Sequence, residues 1–154
     1  SLVLIGGTSI GFGLLLFVSD RLGSKQRSLA QMNWKTALLI ALSQVFALIP
    51  GTSRSGVTMT AALFCNLDRA AAARFSFLLA IPIIAASGLL RGIELLQLGT
   101  ESVEWLVLLY AIFISAVVAY FCIHYFLQLI ERIGFLPFVI YRVLLGIGLI
   151  LLAL

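Results

Sequence analysis

The stretch Ile49–Gly56, IPGTSRSG, gathers hydroxyls and a guanidinium at a point where proline and glycine interrupt an otherwise apolar chain. Pro50 has no N–H to continue a helix and clashes with the preceding turn, and Gly51 admits a backbone that other residues resist. A helix restarting there presents unpaired N–H groups and the positive end of its dipole, which together make an anion site. Thr52, Ser53, Ser55 and Thr58 add hydroxyl donors, and Arg54 adds a planar, permanently charged fork that matches phosphate oxygens two at a time. The stretch therefore favours an anion, phosphate above all. The plainer reading is that the hydroxyls cap helices and that Arg54 snorkels or pairs with a buried carboxylate. Against it, a charge at membrane depth costs roughly 2.5–3.5 kcal/mol on insertion scales. No Asp or Glu occurs between Arg21 and Leu67 to serve as a local partner.

The elements that must position these residues are membrane helices. Of 154 residues, 62% are hydrophobic and 10% charged, and the mean hydropathy is +1.19. Such a chain has too little polar surface for a soluble domain. A spanning helix needs roughly 20 apolar residues, and Leu2–Val18, Ala73–Leu98, Val103–Ile130 and Phe135–Leu154 meet or approach that length. Pro82 is expected to kink the second, Asp68 to cap its start, and Gly6, Gly7, Gly11 and Gly13 to allow close helix packing in the first. Cys65 and Cys122 lie in apolar runs without metal-ligand spacing and read as buried small hydrophobes. The sequence holds neither low-complexity segments nor internal repeats. Its opening at Ser1, inside an apolar run, reads as a fragment or a processed chain.

The segment around 36–67 is different. Thr36–Ile49 would reach about 21 Å as a helix and Gly56–Leu67 about 18 Å, so neither arm crosses alone. Either they form one broken span, or they form a re-entrant hairpin with the IPGTSRSG tip near the bilayer centre. A hairpin puts Arg21, Lys25, Arg27, Lys35, Arg69, Arg74 and Arg132 on one side and leaves only Arg91 opposite, beside Glu94, Glu101 and Glu104. A full span mixes the two sides. Short cytoplasmic loops collect Lys and Arg, so the charge pattern selects the hairpin. Irregular backbone at membrane depth is tolerated only where protein buries it or a wet cavity meets it, which makes the tip a site.

Three blocks in order, PGTSRSGVT (Pro50–Thr58), AAARFSFLLAIP (Ala71–Pro82) and FLQLIERIGFLPFVIYR (Phe126–Arg142), closely resemble the undecaprenyl-diphosphatase family of bacitracin-resistance phosphatases. The resemblance covers essentially the whole chain. It implies an all-helical integral membrane fold with two inverted repeats, each giving a re-entrant hairpin to a shared site. This chain would hold about four transmembrane helices and one hairpin, as a single membrane domain over 1–154. The implied activity is hydrolysis of undecaprenyl diphosphate to undecaprenyl phosphate and inorganic phosphate in the bacterial inner membrane. Mapped onto P-G-x-S-R-S-x-x-T, the resemblance implies that Arg54 and Ser53 act in catalysis and that Gly51, Thr52, Ser55 and Thr58 hold the diphosphate. Gln44 is a weaker substrate-binding candidate within the hairpin.

The family's other signature, E-x-x-x-E followed by a Ser/His-containing turn, has no counterpart here. The arm LIALSQVFALIP holds no carboxylate. The resemblance thus implies a C-terminal half with half a site, inactive alone. Its acid chemistry, and any carboxylates for Mg²⁺ or Ca²⁺, would come from a missing N-terminal half. Lipid and the polyprenyl diphosphate are the other expected partners, a homodimer is left open, and no nucleic acid is expected. His124 reads as an interfacial or packed residue. For Arg142, near the side of Glu131 and Arg132, a structural ion pair or snorkelling ranks ahead of substrate contact, and Trp34 and Trp105 read as interface anchors. Family chemistry faces the outer side of the membrane, whereas the charge pattern brings the hairpin in from the cytoplasmic side; a tip at the midplane can line a pocket open to either. The same architecture also suits a polyprenyl-phosphate flippase, and a purely structural membrane subunit is a third reading.

Overall fold

The computed structural model describes residues 1–97 and 104–153; Glu101 and the ends of three sequence-expected spans, Leu98, Val103 and Leu154, lie outside them. Every regular element in the described residues is helical. The order is α1 (Leu2–Leu22), a 3₁₀ turn (Leu29–Gln31), α2 (Trp34–Ser43), a second 3₁₀ turn (Gln44–Leu48), α3 (Arg54–Phe64), α4 (Arg69–Gln97), α5 (Trp105–Ile133) and α6 (Leu136–Leu151).

Three of these, α1, α4 and α5, are long and apolar enough to cross a membrane, and the chain is a multi-pass membrane protein. The fourth expected span coincides with α6, a shorter apolar helix of 16 residues, about 24 Å at the helical rise. Helix α1 continues beyond the apolar run at Val18 to Leu22, with Arg21 in its last turn, where a cation suits the helix dipole. Asp68 caps α4 as expected, its Oδ1 accepting from the Ala71 N–H at 2.7 Å. Helix α4 continues through Pro82.

The arms at 34–64 fold back on each other. Asn33 caps α2, its Oδ1 accepting from the Thr36 N–H at 2.8 Å. The helix then tightens into the 3₁₀ turn, Pro50 ends it, and α3 returns alongside. Entry and exit are joined: the Arg27 N–H donates to the Asn66 carbonyl at 3.0 Å, and the Asp68 N–H donates to the Arg27 carbonyl at 2.9 Å. The base of this helical hairpin lies against the end of α1, where Gly23 leaves no room for a Cβ beside the Leu63 carbonyl. Its tip lies against Ile5 and Thr8. The hairpin therefore runs along α1 for about 22 Å, the rise from Thr8 to Gly23.

The most extensive helix contact is α1 against α6. Gly6 and Gly146 make it reciprocal: a Cβ on either would lie 2.7 Å from the other's carbonyl oxygen. Small residues let backbones approach where lipid provides no hydrophobic drive. Gly13 also packs on α6, beside Arg142, whereas Gly7 and Gly11 face open space. The core sits at the hairpin's base, where Leu16, Ile40, Leu63, Leu67, Ile130 and Phe135 converge. A polar clamp closes this end. Asp20 accepts from Arg69 Nε at 2.7 Å and Nη2 at 2.9 Å, with Lys25 Nζ at 3.2 Å. Gly134, at φ +74°, lies on the Arg69 guanidinium at the α5–α6 turn. The cysteines differ from expectation. Cys122 is exposed and Cys65 only partly buried, because α5 shows most of its circumference to the outside and Cys65 ends α3 at the base.

Candidate functional site

Gly51 sits at φ +92° and packs so closely on Ile5 and Thr8 that no Cβ fits. The Thr8 hydroxyl donates to the Pro50 carbonyl at 2.7 Å, fixing the tip on α1. From there the chain enters α3 through Ser53, whose Oγ caps the helix by accepting from the Gly56 N–H at 3.2 Å. The amides of Arg54 and Ser55, in the first turn, have no intrahelical acceptor.

Against this turn lies Arg142 of α6. It is 9% exposed. Its Nη2 donates to the Gly51 carbonyl at 2.9 Å, and its backbone carbonyl accepts from the Ser9 hydroxyl at 3.2 Å. Its Nη1 is buried without a hydrogen-bond partner among the described residues, at the position where a Cβ on Gly56 would come within 2.9 Å. Gly56 therefore clears the space for the guanidinium. A cation held beside the positive end of a helix is unfavourable on its own. The arrangement is stable chemistry once an anion sits between them, and it leaves a charged donor, helix amides and hydroxyls aimed at that anion.

These groups open on a cavity of about 330 Å³. Gly51, Thr52, Ser53, Ser55 and Gly56 form its polar wall with Ser9 and Arg142, and Phe126, Phe135, Phe138, Tyr141 and Leu145 form an apolar one. Ser53 Oγ and Ser55 Oγ are 3.2 Å apart. One hydrogen bond between two hydroxyls consumes one proton, so one O–H of the pair stays free to donate.

The sequence-expected residues are thus brought together only in part. Gly51, Thr52, Ser53 and Ser55 line the cavity, although the Thr52 hydroxyl already donates within the turn, 2.7 Å from the Ile49 carbonyl and 3.0 Å from that of Phe46. Arg54 begins α3, but its side chain lies outside the cavity lining, half-buried, with Nη1 lacking a partner among the described residues. Thr58 is buried and turned towards α4, 2.6 Å from Ser76 Oγ. Gln44, where α2 passes into its 3₁₀ turn, does not line the cavity. His124 is on the exposed side of α5, 3.0 Å from Gln128.

Arg142 reverses the order of the sequence reading, which ranked an ion pair or snorkelling ahead of substrate contact. The α1–α6 crossing holds it inward at the tip instead. The argument that singled out Arg54, one charge in an apolar helix, applied equally to Arg142 and was the signal available. Ser9 and Gly56 had no such signal, since their roles arise from contacts across the fold. Among the described residues no group of three or more His, Cys, Asp or Glu could hold a metal ion, and hydroxyls with a guanidinium are no set of ligands for Mg²⁺ or Ca²⁺.

The chain is thus an all-helical membrane protein in which Arg142 of α6 and the first turn of α3, at the tip of a helical hairpin, face one cavity. The family model for Bacitracin resistance protein BacA matches residues 1–148, and the chain belongs to that family. It is 57% identical over 150 residues to "Undecaprenyl-diphosphatase" of Hahella chejuensis, covering 97% of this chain and 56% of that protein. It is 56% identical to "Undecaprenyl-diphosphatase 1" of Pseudoalteromonas translucida, over 95% of this chain and 54% of the relative. For "Undecaprenyl-diphosphatase" of Teredinibacter turnerae the identity is 54%, over 93% and 54%. The chain spans about half the length of these relatives.

Proposed function

We propose that this chain supplies one half of the active site of an undecaprenyl-diphosphate phosphatase of the bacterial inner membrane. The observation that carries the reading is the buried, unpartnered Nη1 of Arg142 beside the first turn of α3. The terminal phosphate of the substrate sits between them, its oxygens receiving the Arg142 guanidinium, the α3 amides and the free hydroxyl of the Ser53–Ser55 pair. Arg54, the second cation at this helix end, has its side chain outside the cavity lining and reaches the same diphosphate in this proposal by a change of rotamer. The apolar wall of Phe126, Phe138, Tyr141 and Leu145 takes the first prenyl units.

Hydrolysis breaks the bond between the terminal phosphorus and the bridging oxygen. Water adds its oxygen to phosphorus, and undecaprenyl phosphate leaves with the bridging oxygen. Charge spreads over the transferred oxygens in the transition state, and donors already aimed at them stabilise it without reorganisation. The proton of the attacking water needs a base, which in this proposal belongs to the other half of the protein. Any divalent cation is likewise assigned to carboxylates outside this chain, and no step here is routed through one. The relatives' names favour the phosphatase over the transporter that the same hairpin could serve.

The test is phosphate release from a short prenyl diphosphate in detergent by the full-length protein, by its Arg142→Met and Arg54→Ala variants, and by residues 1–154 alone. Release by the full-length protein and loss in the other three is the expected result. Binding of the lipid by the full-length protein without release under any divalent metal would overturn the hydrolase reading and leave transport.

A further inference from the structure

Between Leu2 and Val18, helix α1 carries just two polar side chains, the neighbours Thr8 and Ser9. A serine or threonine inside a helix normally returns its proton to a carbonyl three or four residues back. Thr8 does so in part, with the Leu4 and Ile5 carbonyls at 2.9 and 3.1 Å, but its shortest contact is the Pro50 carbonyl of the tip at 2.7 Å. Ser9 is buried, and among the described residues its hydroxyl has one acceptor, the main-chain carbonyl of Arg142 across the crossing at 3.2 Å. Together with the bond from Arg142 Nη2 to the Gly51 carbonyl at 2.9 Å, three hydrogen bonds tie three elements pairwise: α1 to the tip, α1 to α6, and α6 to the tip.

Ser9 sits in the middle of an antiparallel crossing. Gly6 meets Gly146, Ser9 meets Arg142, and Gly13 meets Arg142 and Val139. Positions 6, 9 and 13 of α1 thus face 146, 142 and 139 of α6, the spacings of three and four that keep residues on one helix face. The glycines let the two backbones approach, but a glycine surface carries nothing that fixes which turn of α6 lies opposite which turn of α1. The Ser9 hydroxyl does fix it. A slip of α6 by one residue would swing its side chains by about 100° and shift them by about 1.5 Å along the axis, taking the Arg142 guanidinium away from the tip.

Ser9 also lines the cavity, which raises the alternative that it touches the ligand. Its single proton is committed to α6, however, and the lone pairs that remain cannot donate to an anion. We propose that Ser9 is a positioning residue of the anion site: it sets the register of α6 on α1, so that the guanidinium of Arg142 meets the first turn of α3. This role rests on the anion site proposed above. Donors act on a transferred phosphoryl group through their prior alignment, and a misplacement of about 1 Å can cost about 10²-fold in rate.

The acceptor of the Ser9 proton belongs to the main chain, so Ser9→Ala loses the same bond with or without Arg142→Met, and stability separates from function. The experiment is a double-mutant cycle of these two substitutions in the full-length protein. It reads the affinity for a short prenyl methylenediphosphonate, whose CH₂ bridge resists hydrolysis, kcat/KM for the matching diphosphate, and melting in detergent. Ser9→Ala alone is expected to weaken phosphonate binding several-fold and to lower kcat/KM about 10-fold. On top of Arg142→Met both effects should shrink to within about twofold, because no guanidinium is left to place, while the melting temperature falls by the same amount in both backgrounds. An equal functional loss in both backgrounds would make Ser9 a ligand or a general packing residue, and an unchanged affinity and rate in Ser9→Ala alone would leave its bond without a role at the site; either result overturns the proposal. If the unmodified protein releases no phosphate, the hydrolase reading fails and the phosphonate affinities still decide the role of Ser9.

Discussion

Arg142 Nη2 and the Gly51 carbonyl oxygen, 2.9 Å apart, join the last helix of the chain to the tip of its hairpin across 91 residues. The bond uses one arm of the guanidinium and leaves the other, buried, for an anion. Arg142→Met in the full-length protein keeps the volume and removes the charge. We expect kcat/KM for prenyl diphosphate hydrolysis to fall about 10²–10³-fold, the range for losing one preorganised donor to a developing anion. Arg142→Lys should recover little of it, because an ammonium cannot hold Gly51 and the anion in two directions at once. The protein should stay folded, since a buried charge without a counter-charge carries a desolvation cost that methionine lacks. Kinetics together with a melting curve in detergent check both halves.

Gly51 is fixed by a second, independent constraint, the close approach of Ile5 and Thr8 to the place of a Cβ. Gly51→Ala should cost about 1–3 kcal/mol, because it strains a left-handed backbone and pushes the tip off α1. Activity should drop with stability, as the Ser53–Ser55 pair moves with the tip. Gly7→Ala, one residue from the same contact but facing open space, should leave the melting temperature unchanged or slightly raised. Equal effects from the two substitutions would contradict the tip's seating.

The Asp20–Arg69–Lys25 clamp is expected to act on stability alone. Asp20→Asn removes the charge that two cations share. Because the Arg69 side chain keeps 30% of its exposure, the loss should be about 1–3 kcal/mol, below that of a fully buried pair. The clamp lies at the hairpin's base, about 18 Å along α1 from Thr8 at the tip, so KM of the folded fraction should not move. A changed KM would mean that the base and the tip are coupled.

Where the sequence was legible, a strong local cause was at work. The apolar runs, the capping by Asp68 and the turn at Pro50–Gly51 follow from solvent and backbone chemistry within a few residues. The roles of Arg142, Ser9 and Gly56 were not legible, because they depend on where α6 crosses α1. Arg54 and Thr58 show the converse. The sequence placed both at the anion site by residue type, but which way each side chain points is decided by its rotation about α3, and the fold turns Thr58 towards Ser76.

Thr58 provides the sharpest discrimination between a residue that binds substrate and one that holds the site. Its hydroxyl is buried, 2.6 Å from Ser76 Oγ, and also within reach of the Arg54 carbonyl at 3.2 Å and the Ser55 carbonyl at 3.1 Å. A hydroxyl so engaged positions α3 against α4, and through α3 the cavity wall. Thr58→Val should cost about 1–3 kcal/mol of stability by leaving Ser76 unsatisfied, and Ser76→Ala should cost about the same. The double variant Thr58→Val with Ser76→Ala should cost less than the sum, with a coupling of about 1 kcal/mol. Thr58→Ser should restore both stability and KM. If Thr58→Val instead raised KM at unchanged stability, and Ser76→Ala had no effect, the hydroxyl would be a substrate ligand after all and α3 would have to rotate on binding to present it.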